Sequence, residues 1–113
     1  MNKAGTPPYT KKIIKPGDGK TKPKKGQTAI VHYTGKLTNG KQFDSSEGGD
    51  PFQFKVGAGE VIRAWDFGVA EMTLGEEAEI TAQPEFAYGK QGYPPVIPPN
   101  SVLIFNIKLL NLK

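Results

Sequence analysis

The sequence predicts an α+β fold, a bent antiparallel sheet of about five strands wrapped around one short α-helix. Most of the chain alternates apolar and polar residues with a period of two, which is typical of half-buried strands. One stretch, 60–72, changes to a helical period. With 113 residues, the chain has the length of one domain with a single hydrophobic core.

The first 25 residues combine lysines with turn signals. They contain eight lysines and one acidic residue, Asp18, and the dipeptides Pro16-Gly17 and Asp18-Gly19 predict turns. An edge strand around Ile13 and Ile14 precedes these turns. We therefore expect residues 1–12 to form a flexible tail and residues 13–113 to form the domain.

The middle of the chain contains the first long strand. Segment 28–37 alternates strictly, and its inward face carries Ala29, Val31, Tyr33 and Leu37. Asn39-Gly40 then predicts a hairpin turn. A strand end at 43–46, a glycine-rich excursion and a short strand with Phe52, Phe54 and Val56 complete this half.

The second half contains the helix and two more strands. The helix is indicated by an apolar stripe at helical spacing, formed by Ile62, Trp65, Val69 and Met72. Segment 76–83 alternates again, with Ala78, Ile80 and Ala82 inward, and a final long strand presents Leu103, Phe105, Ile107 and Leu109. We also expect three phenylalanines to pack in the core: Phe54, Phe67 and Phe86.

The residue inventory excludes most enzymatic chemistries. The chain has no cysteine and one histidine, His32, which lies on the polar side of its strand. We therefore expect no metal site, no cofactor and no nucleophilic triad. The segment GAGEVI at 57–62 lacks the third glycine and the βαβ context of a dinucleotide-binding loop. An enzyme built from this chain must act by non-covalent means.

Charge and hydropathy restrict the partners. The net charge of +4 comes from the first 25 residues, since the remainder carries seven basic and ten acidic groups. Such a leader is compatible with nucleic-acid binding, but a solvated surface is the simpler interpretation, and we expect no specific nucleic acid and no membrane partner. The absence of cysteines and of an apolar leader favours a cytoplasmic location. Nothing in the sequence requires more than a monomer.

The segment YGKQGYPPVIPPN, 88–100, is the most unusual part of the chain. It holds four of the ten prolines and two of the four tyrosines. Prolines stiffen a loop and lower its entropy, so this loop can hold apolar groups towards a cavity. Tyrosine adds a hydroxyl that can donate to a ligand carbonyl. The residues alone leave three interpretations of this loop open: a rigid spacer, a peptide ligand for another protein, or one side of an apolar ligand pocket.

Five motifs in order, VHYTG, FDSS, EVIRAWDFGVAEM, FAYG and IPPNSVLIF, resemble the FKBP family of peptidyl-prolyl cis–trans isomerases. The resemblance covers nearly the whole chain, from about Pro16 to Lys113, and is closest to the small single-domain cytosolic type. It implies isomerisation of Xaa-Pro bonds in proteins and binding of the macrolides tacrolimus and rapamycin. A drug-dependent phosphatase or kinase partner is a further expectation.

The resemblance also implies which residues form the site. The catalytic group would comprise Asp44, Ile62, Trp65, Tyr88 and Phe105. Trp65 would be the floor, and Asp44, the Tyr88 hydroxyl and the Ile62 N–H would supply the polar contacts. The other ligand-binding residues would be Tyr33, Phe43, Phe52, Glu60, Val61, Tyr93, Val96 and Ile97.

Three departures from the family pattern bear on this expectation. Ala64 replaces the usual glycine before Trp65, and the short acidic loop EGGD, 47–50, stands where relatives often carry basic residues. Tyr93 and Val96 replace a histidine and an isoleucine of the rim. An alternative function therefore stays open, a partner-binding module that uses the same pocket with catalysis incidental.

Overall fold

A computed structural model of the protein describes residues 7–113. These residues form six strands, one α-helix and a 3₁₀ turn at Pro84–Phe86. The strands are β1 (Tyr9–Lys15), β2 (Thr28–Leu37), β3 (Gln42–Ser45), β4 (Phe52–Lys55), β5 (Glu77–Ala82) and β6 (Leu103–Leu112). The helix is α1, Arg63–Ala70. The predicted α+β class is confirmed.

All strand pairs are antiparallel and belong to one sheet with the order β1-β5-β6-β2-β3. Strand β4 pairs with the first half of β2, opposite Thr28–Val31, while β3 pairs with its second half, opposite Thr34–Lys36. The two short strands thus share one edge of β2. Because they are two separate strands, residues 7–113 contain six strands where the sequence predicts about five.

The core lies between the concave face of the sheet and α1. The alternation predicted for β5 and β6 is confirmed, because their inward residues are all buried. The helix is shorter than its apolar stripe, since Ile62 is its N-cap and Met72 lies beyond its last residue, although Met72 is fully buried. Burial of these apolar side chains is the main stabilising contribution to the fold.

Phe67 does not pack in the core, and that prediction is wrong. It is 53% exposed, whereas Phe54 is buried and Phe86 is half-buried against the core. Residues two apart on a helix do not face the same side, so Phe67 lies opposite buried Trp65. Its ring stacks instead on Phe86, with centroids 5.6 Å apart.

The strand β1 begins at Tyr9, before the expected start of the domain. Residues 9–12, which we expected in the tail, pair with β5, and the first six residues lie outside the described part of the chain. The strand start was placed too late because this lysine-rich segment lacks the alternation of apolar and polar residues that predicts a strand. Lys11 is nevertheless largely buried, since it forms an ion pair. Its Nζ lies 2.7 Å from Glu76 Oε2, and both side chains are largely buried.

This ion pair predicts unequal roles for two adjacent lysines. Lys11→Met would leave the Glu76 carboxylate buried without its cation and should lower the free energy of unfolding by about 1–3 kcal/mol. Lys12→Met, at an exposed position of the same strand, should change it by less than about 0.5 kcal/mol. Urea unfolding of both variants checks this. Equal, negligible losses would show that residues 9–12 are not part of the folded sheet.

Candidate functional site

The floor of the pocket is Trp65 in the first turn of α1. Its indole is 4% exposed and packs edge-on against three rings, Tyr33 at 4.8 Å, Phe52 at 5.8 Å and Phe105 at 5.4 Å between centroids. The fourth neighbour, Phe54, lies at 5.7 Å. Edge-to-face pairs of this kind stabilise beyond their buried area. The indole is thus clamped between the helix and strands β2, β4 and β6.

The indole Nε1 is closed to solvent and has no hydrogen-bond partner within residues 7–113. A buried N–H without an acceptor costs free energy, roughly 1–3 kcal/mol. Ring packing, and not hydrogen bonding, therefore holds the floor in place.

A cavity of about 230 Å³ opens above this floor. Its ten lining residues are Tyr33, Phe43, Asp44, Phe52, Glu60, Val61, Ile62, Trp65, Tyr88 and Phe105. All ten belong to the set that the sequence resemblance implies. Pockets for drug-sized ligands measure roughly 300–1,000 Å³, so this cavity matches a smaller apolar group.

Asp44 and Tyr33 form the polar side of the cavity. The Tyr33 hydroxyl donates to Asp44 Oδ2 at 2.7 Å, and the Ser45 N–H donates to Asp44 Oδ1 at 2.8 Å. Burial and the hydrogen bond to Asp44 both raise the pKa of Tyr33. The Tyr33 hydroxyl therefore stays protonated and holds the carboxylate at the edge of the pocket.

Ile62 and Tyr88 contribute donors that have no acceptor within residues 7–113. Ile62 is the N-cap of α1, and its carbonyl accepts the N–H groups of Trp65 and Asp66. Its own N–H bonds to no acceptor among the described residues, as expected for a helix N-terminus. The Tyr88 hydroxyl likewise has no hydrogen-bond partner within residues 7–113. The pKa of Tyr88 is raised, mainly because the side chain is partly buried and to a smaller extent because Tyr93 and Asp44 lie nearby.

Three predicted rim residues do not line the cavity. Tyr93 and Val96 are 60% and 45% exposed, while Ile97 is 3% exposed and joins the core. Tyr93 and Ile97 pair through two backbone hydrogen bonds, of 2.8 and 2.9 Å, which close the loop on itself. The Tyr88 and Tyr93 rings lie 5.4 Å apart. The proline-rich loop therefore borders the cavity through Tyr88 alone.

Gly35 is a site residue that the sequence analysis missed. A Cβ built at this position of β2 would lie 2.6 Å from Phe43 Cζ and 3.0 Å from Phe105 Cε1. Only glycine lets these two lining rings meet edge-on, 5.7 Å apart. The available signal was a glycine that interrupts an otherwise alternating strand, which often marks a close approach.

His32 is not part of this site. His32 Nδ1 lies 2.9 Å from Ser46 Oγ and does not line the cavity. Within residues 7–113 no group of three His, Cys, Asp or Glu side chains has metal-binding geometry. No helix of that part of the chain is long and apolar enough to cross a membrane.

An antiparallel sheet and one helix, with an aromatic hollow at the helix N-terminus, define the class of small domain to which this chain is compared. The family described as "FKBP-type peptidyl-prolyl cis-trans isomerase" matches residues 19–110. The chain belongs to this family, and its activity is peptidyl-prolyl cis–trans isomerisation.

Curated relatives match over nearly their whole length. Peptidyl-prolyl cis-trans isomerase FKBP1A of Xenopus laevis is 54% identical over 101 residues, which cover 88% of this chain and 94% of that protein. Peptidyl-prolyl cis-trans isomerase Fkbp12 of Drosophila melanogaster is 52% identical, with the same coverage. FK506-binding protein 1A of Aspergillus fumigatus is 51% identical over 104 residues, 91% of this chain and 93% of that protein.

The Tyr33–Asp44 hydrogen bond predicts a late ionisation. The folded state holds the Tyr33 proton more tightly than the unfolded chain, whose tyrosines ionise near about pH 10. The stabilisation is thus complete below this pH and is lost as pH rises through the raised pKa. In an ultraviolet titration, Tyr33→Phe should lack the latest phenolate step, whereas Tyr93→Phe should keep it. Ionisation of Tyr33 near about pH 10 would contradict the hydrogen bond.

Proposed function

We propose that the cavity above Trp65 receives the pyrrolidine ring of an Xaa-Pro segment and accelerates rotation about the peptide bond before the proline. The observation that carries this proposal is the ring-lined floor. Trp65 is 4% exposed, and the rings of Tyr33, Phe52 and Phe105 stand around it. A five-membered ring is an apolar group of suitable size for such a hollow.

The chemistry of the bond makes a dry hollow useful. An amide is planar because of resonance, and rotation meets a barrier of roughly 18–20 kcal/mol. Twisting the bond removes the resonance and leaves the carbonyl less dipolar. Water stabilises the planar, more dipolar ground state, whereas an apolar site accommodates the twisted form with less loss. Each tenfold acceleration needs about 1.4 kcal/mol of preferential binding to that form.

Three polar groups orient the substrate in this proposal. The N–H of Ile62 and the hydroxyl of Tyr88 would donate to carbonyl oxygens that flank the twisted bond. Asp44 would act through its charge and by fixing Tyr33, to which it is bonded at 2.7 Å. Phe105 would form the wall against the ring. No proton is transferred, since the reaction breaks no covalent bond.

The same pocket is proposed to bind the macrolides tacrolimus and rapamycin. Support comes from the Aspergillus relative, which is named an FK506-binding protein, FK506 being tacrolimus. A macrolide is larger than the 230 Å³ cavity and would extend over the exposed side chains of Tyr93 and Val96. These apolar groups would then also contact a drug-dependent phosphatase or kinase. A cytoplasmic location and a monomeric state remain predictions from the sequence.

The exposed rim also supports the alternative function, a partner-binding module with incidental catalysis. Tyr93 and Val96 present apolar area outside the cavity. Under this alternative, changes at Tyr93, Val96 and Glu47 would weaken capture of the partner more than changes at Asp44. If the protein acted only as an isomerase, substitutions at these rim residues would leave its activity unchanged.

Substitutions at two residues of α1 test whether the pocket is responsible for the activity. Trp65→Leu removes the floor and should lower kcat/KM for a Leu-Pro peptide at least about tenfold, which corresponds to 1.4 kcal/mol. Phe67→Leu, on the opposite and exposed face of α1, should leave kcat/KM unchanged within about twofold. Exchange NMR on the peptide measures both.

The outcome that contradicts the proposal is specific. Wild-type protein that does not accelerate exchange, or Trp65→Leu and Phe67→Leu variants of equal activity, would remove the pocket from the reaction. Circular dichroism of both variants verifies that each is folded.

A further inference from the structure

We propose that a second surface, on the face of α1 turned away from the cavity above Trp65, docks an acidic segment of a partner protein that carries apolar anchor side chains. This surface, the rear groove, has a volume of about 390 Å³ and lies between segment 23–25, residues 56–57 after β4, and residues 66–70 of α1. It shares no lining residue with the cavity. The proposal is therefore independent of Xaa-Pro binding and of isomerisation.

The rear groove is lined mainly by apolar side chains. Val56 is 2% exposed and lies at the bottom, whereas Phe67 is 53% exposed. Pro23 and Ala70, both partly buried, complete the apolar lining. Single exposed apolar residues are common on protein surfaces, but a concave apolar surface with an exposed aromatic ring is typical of a site for an anchor side chain.

The ring of Phe67 is held in place before any partner arrives. It stacks on Phe86 with centroids 5.6 Å apart and an interplanar angle of 29°. Because this stack restricts the side chain, Phe67 loses little conformational entropy when a partner covers it. The exposed ring is thus a preformed contact surface.

Lysines border the apolar lining. Lys25 lines the groove, and its Cγ would lie 3.2 Å from a Cβ built at Gly57, so its aliphatic stem covers this glycine. Lys22 and Lys24 flank the lining residue Pro23 in the chain, and all three lysines are exposed. Their ammonium groups can therefore reach a partner that fills the groove.

The charge balance of the rear groove is positive. Its one carboxylate, Asp66, accepts the backbone N–H groups of Gly57 at 2.9 Å and Gly59 at 3.0 Å. None of the ion pairs within residues 7–113 involves Asp66 or the lysines at 22, 24 and 25. Three ammonium groups thus outweigh one carboxylate, and the groove attracts a negatively charged partner.

Backbone hydrogen bonds fix the lysine segment on both sides. Before it, Leu74 accepts the N–H of Asp18 and donates to the carbonyl of Thr21, both at 2.9 Å. After it, Val56 accepts the N–H of Gly26 at 2.8 Å and donates to the carbonyl of Gln27 at 3.0 Å. A border that is already ordered lowers the entropic cost of binding.

These features favour an acidic peptide over a nucleic acid. Nucleic-acid sites combine many phosphate contacts with several rings on which bases stack. The rear groove has one ring, Phe67, and the chain's one arginine, Arg63, has its guanidinium 5.8 Å from the centroid of the Phe86 ring. An apolar recess between a few cations instead matches an amphipathic segment whose apolar anchors are flanked by acids.

A blocked peptide without proline tests the proposal, Asp-Glu-Leu-Glu-Glu-Asp-Phe-Glu-Asp. Its leucine and phenylalanine are spaced i and i+4, on one face of a helix. In an NMR titration at about 50 mM NaCl, where screening is weak, it should shift the amide signals of Lys25, Gly57 and Phe67 saturably. Lysines in place of its acids, or serines in place of leucine and phenylalanine, should each raise the Kd at least about tenfold.

Variants of the protein locate the binding. Phe67→Ser removes the exposed ring and should raise the Kd about tenfold. The triple variant Lys22→Gln, Lys24→Gln and Lys25→Gln should raise it about tenfold at low salt and less at about 0.5 M NaCl, because salt screens these exposed charges.

Three exposed lysines outside the rear groove provide the matched control. The triple variant Lys12→Gln, Lys41→Gln and Lys90→Gln changes the net charge by the same amount and should leave the Kd within about twofold of wild type. Dispersed amide spectra verify that each variant is folded.

Several results would overturn the proposal. These are an absence of saturable shifts, equal affinity for the acidic and lysine peptides, equal losses in the two triple variants, and shifts confined to Trp65 and Tyr88 of the cavity. Tighter binding of an oligothymidine than of the acidic peptide would assign the groove to nucleic acid. Dimerisation of the protein that Phe67→Ser abolishes would assign it to a second copy of the chain.

Discussion

The packing of one indole against rings from three strands supports both the fold and the site. Trp65 contacts Tyr33 from β2, Phe52 and Phe54 from β4, and Phe105 from β6, with centroids 4.8–5.8 Å apart. Each such pair contributes about 0.5–1.5 kcal/mol beyond area burial. This cluster fastens the short helix α1 across the sheet, and its upper surface is the floor of the cavity.

This arrangement separates apolar and polar tasks by position. The indole Nε1 is buried, so the floor offers the ligand only an apolar ring surface. Polar groups stand around it at the ends of elements: Asp44 in β3, the N–H of Ile62 before α1, and Tyr88 after the 3₁₀ turn. The Ile62 N–H is a backbone group that the start of the helix leaves without an intrahelical acceptor, whereas Asp44 and Tyr88 contribute side-chain groups. The fold thus produces a dry centre with a polar border.

The local sequence pattern was sufficient to predict strands that bury one face only. It was insufficient where contacts between residues far apart in the chain determine the structure. Strands β5 and β6 were predictable because alternate residues face a single core. The start of β1 was not, because Lys11 is held by Glu76, a partner 65 positions away. Of the predicted site, the resemblance supplied the ten lining residues, but Tyr93, Val96 and Ile97 depend on how the proline-rich loop pairs with itself. Gly35 required the positions of two rings.

Tryptophan fluorescence during a tacrolimus titration tests the central claim most directly, because Trp65 is the only tryptophan of the chain. A ligand that covers the indole must alter its emission and shield it from acrylamide. We expect a saturable change whose midpoint equals the dissociation constant from calorimetry on the same samples. Emission and quenching that stay constant while calorimetry reports saturated binding would place the ligand elsewhere and contradict the role of the indole as the pocket floor.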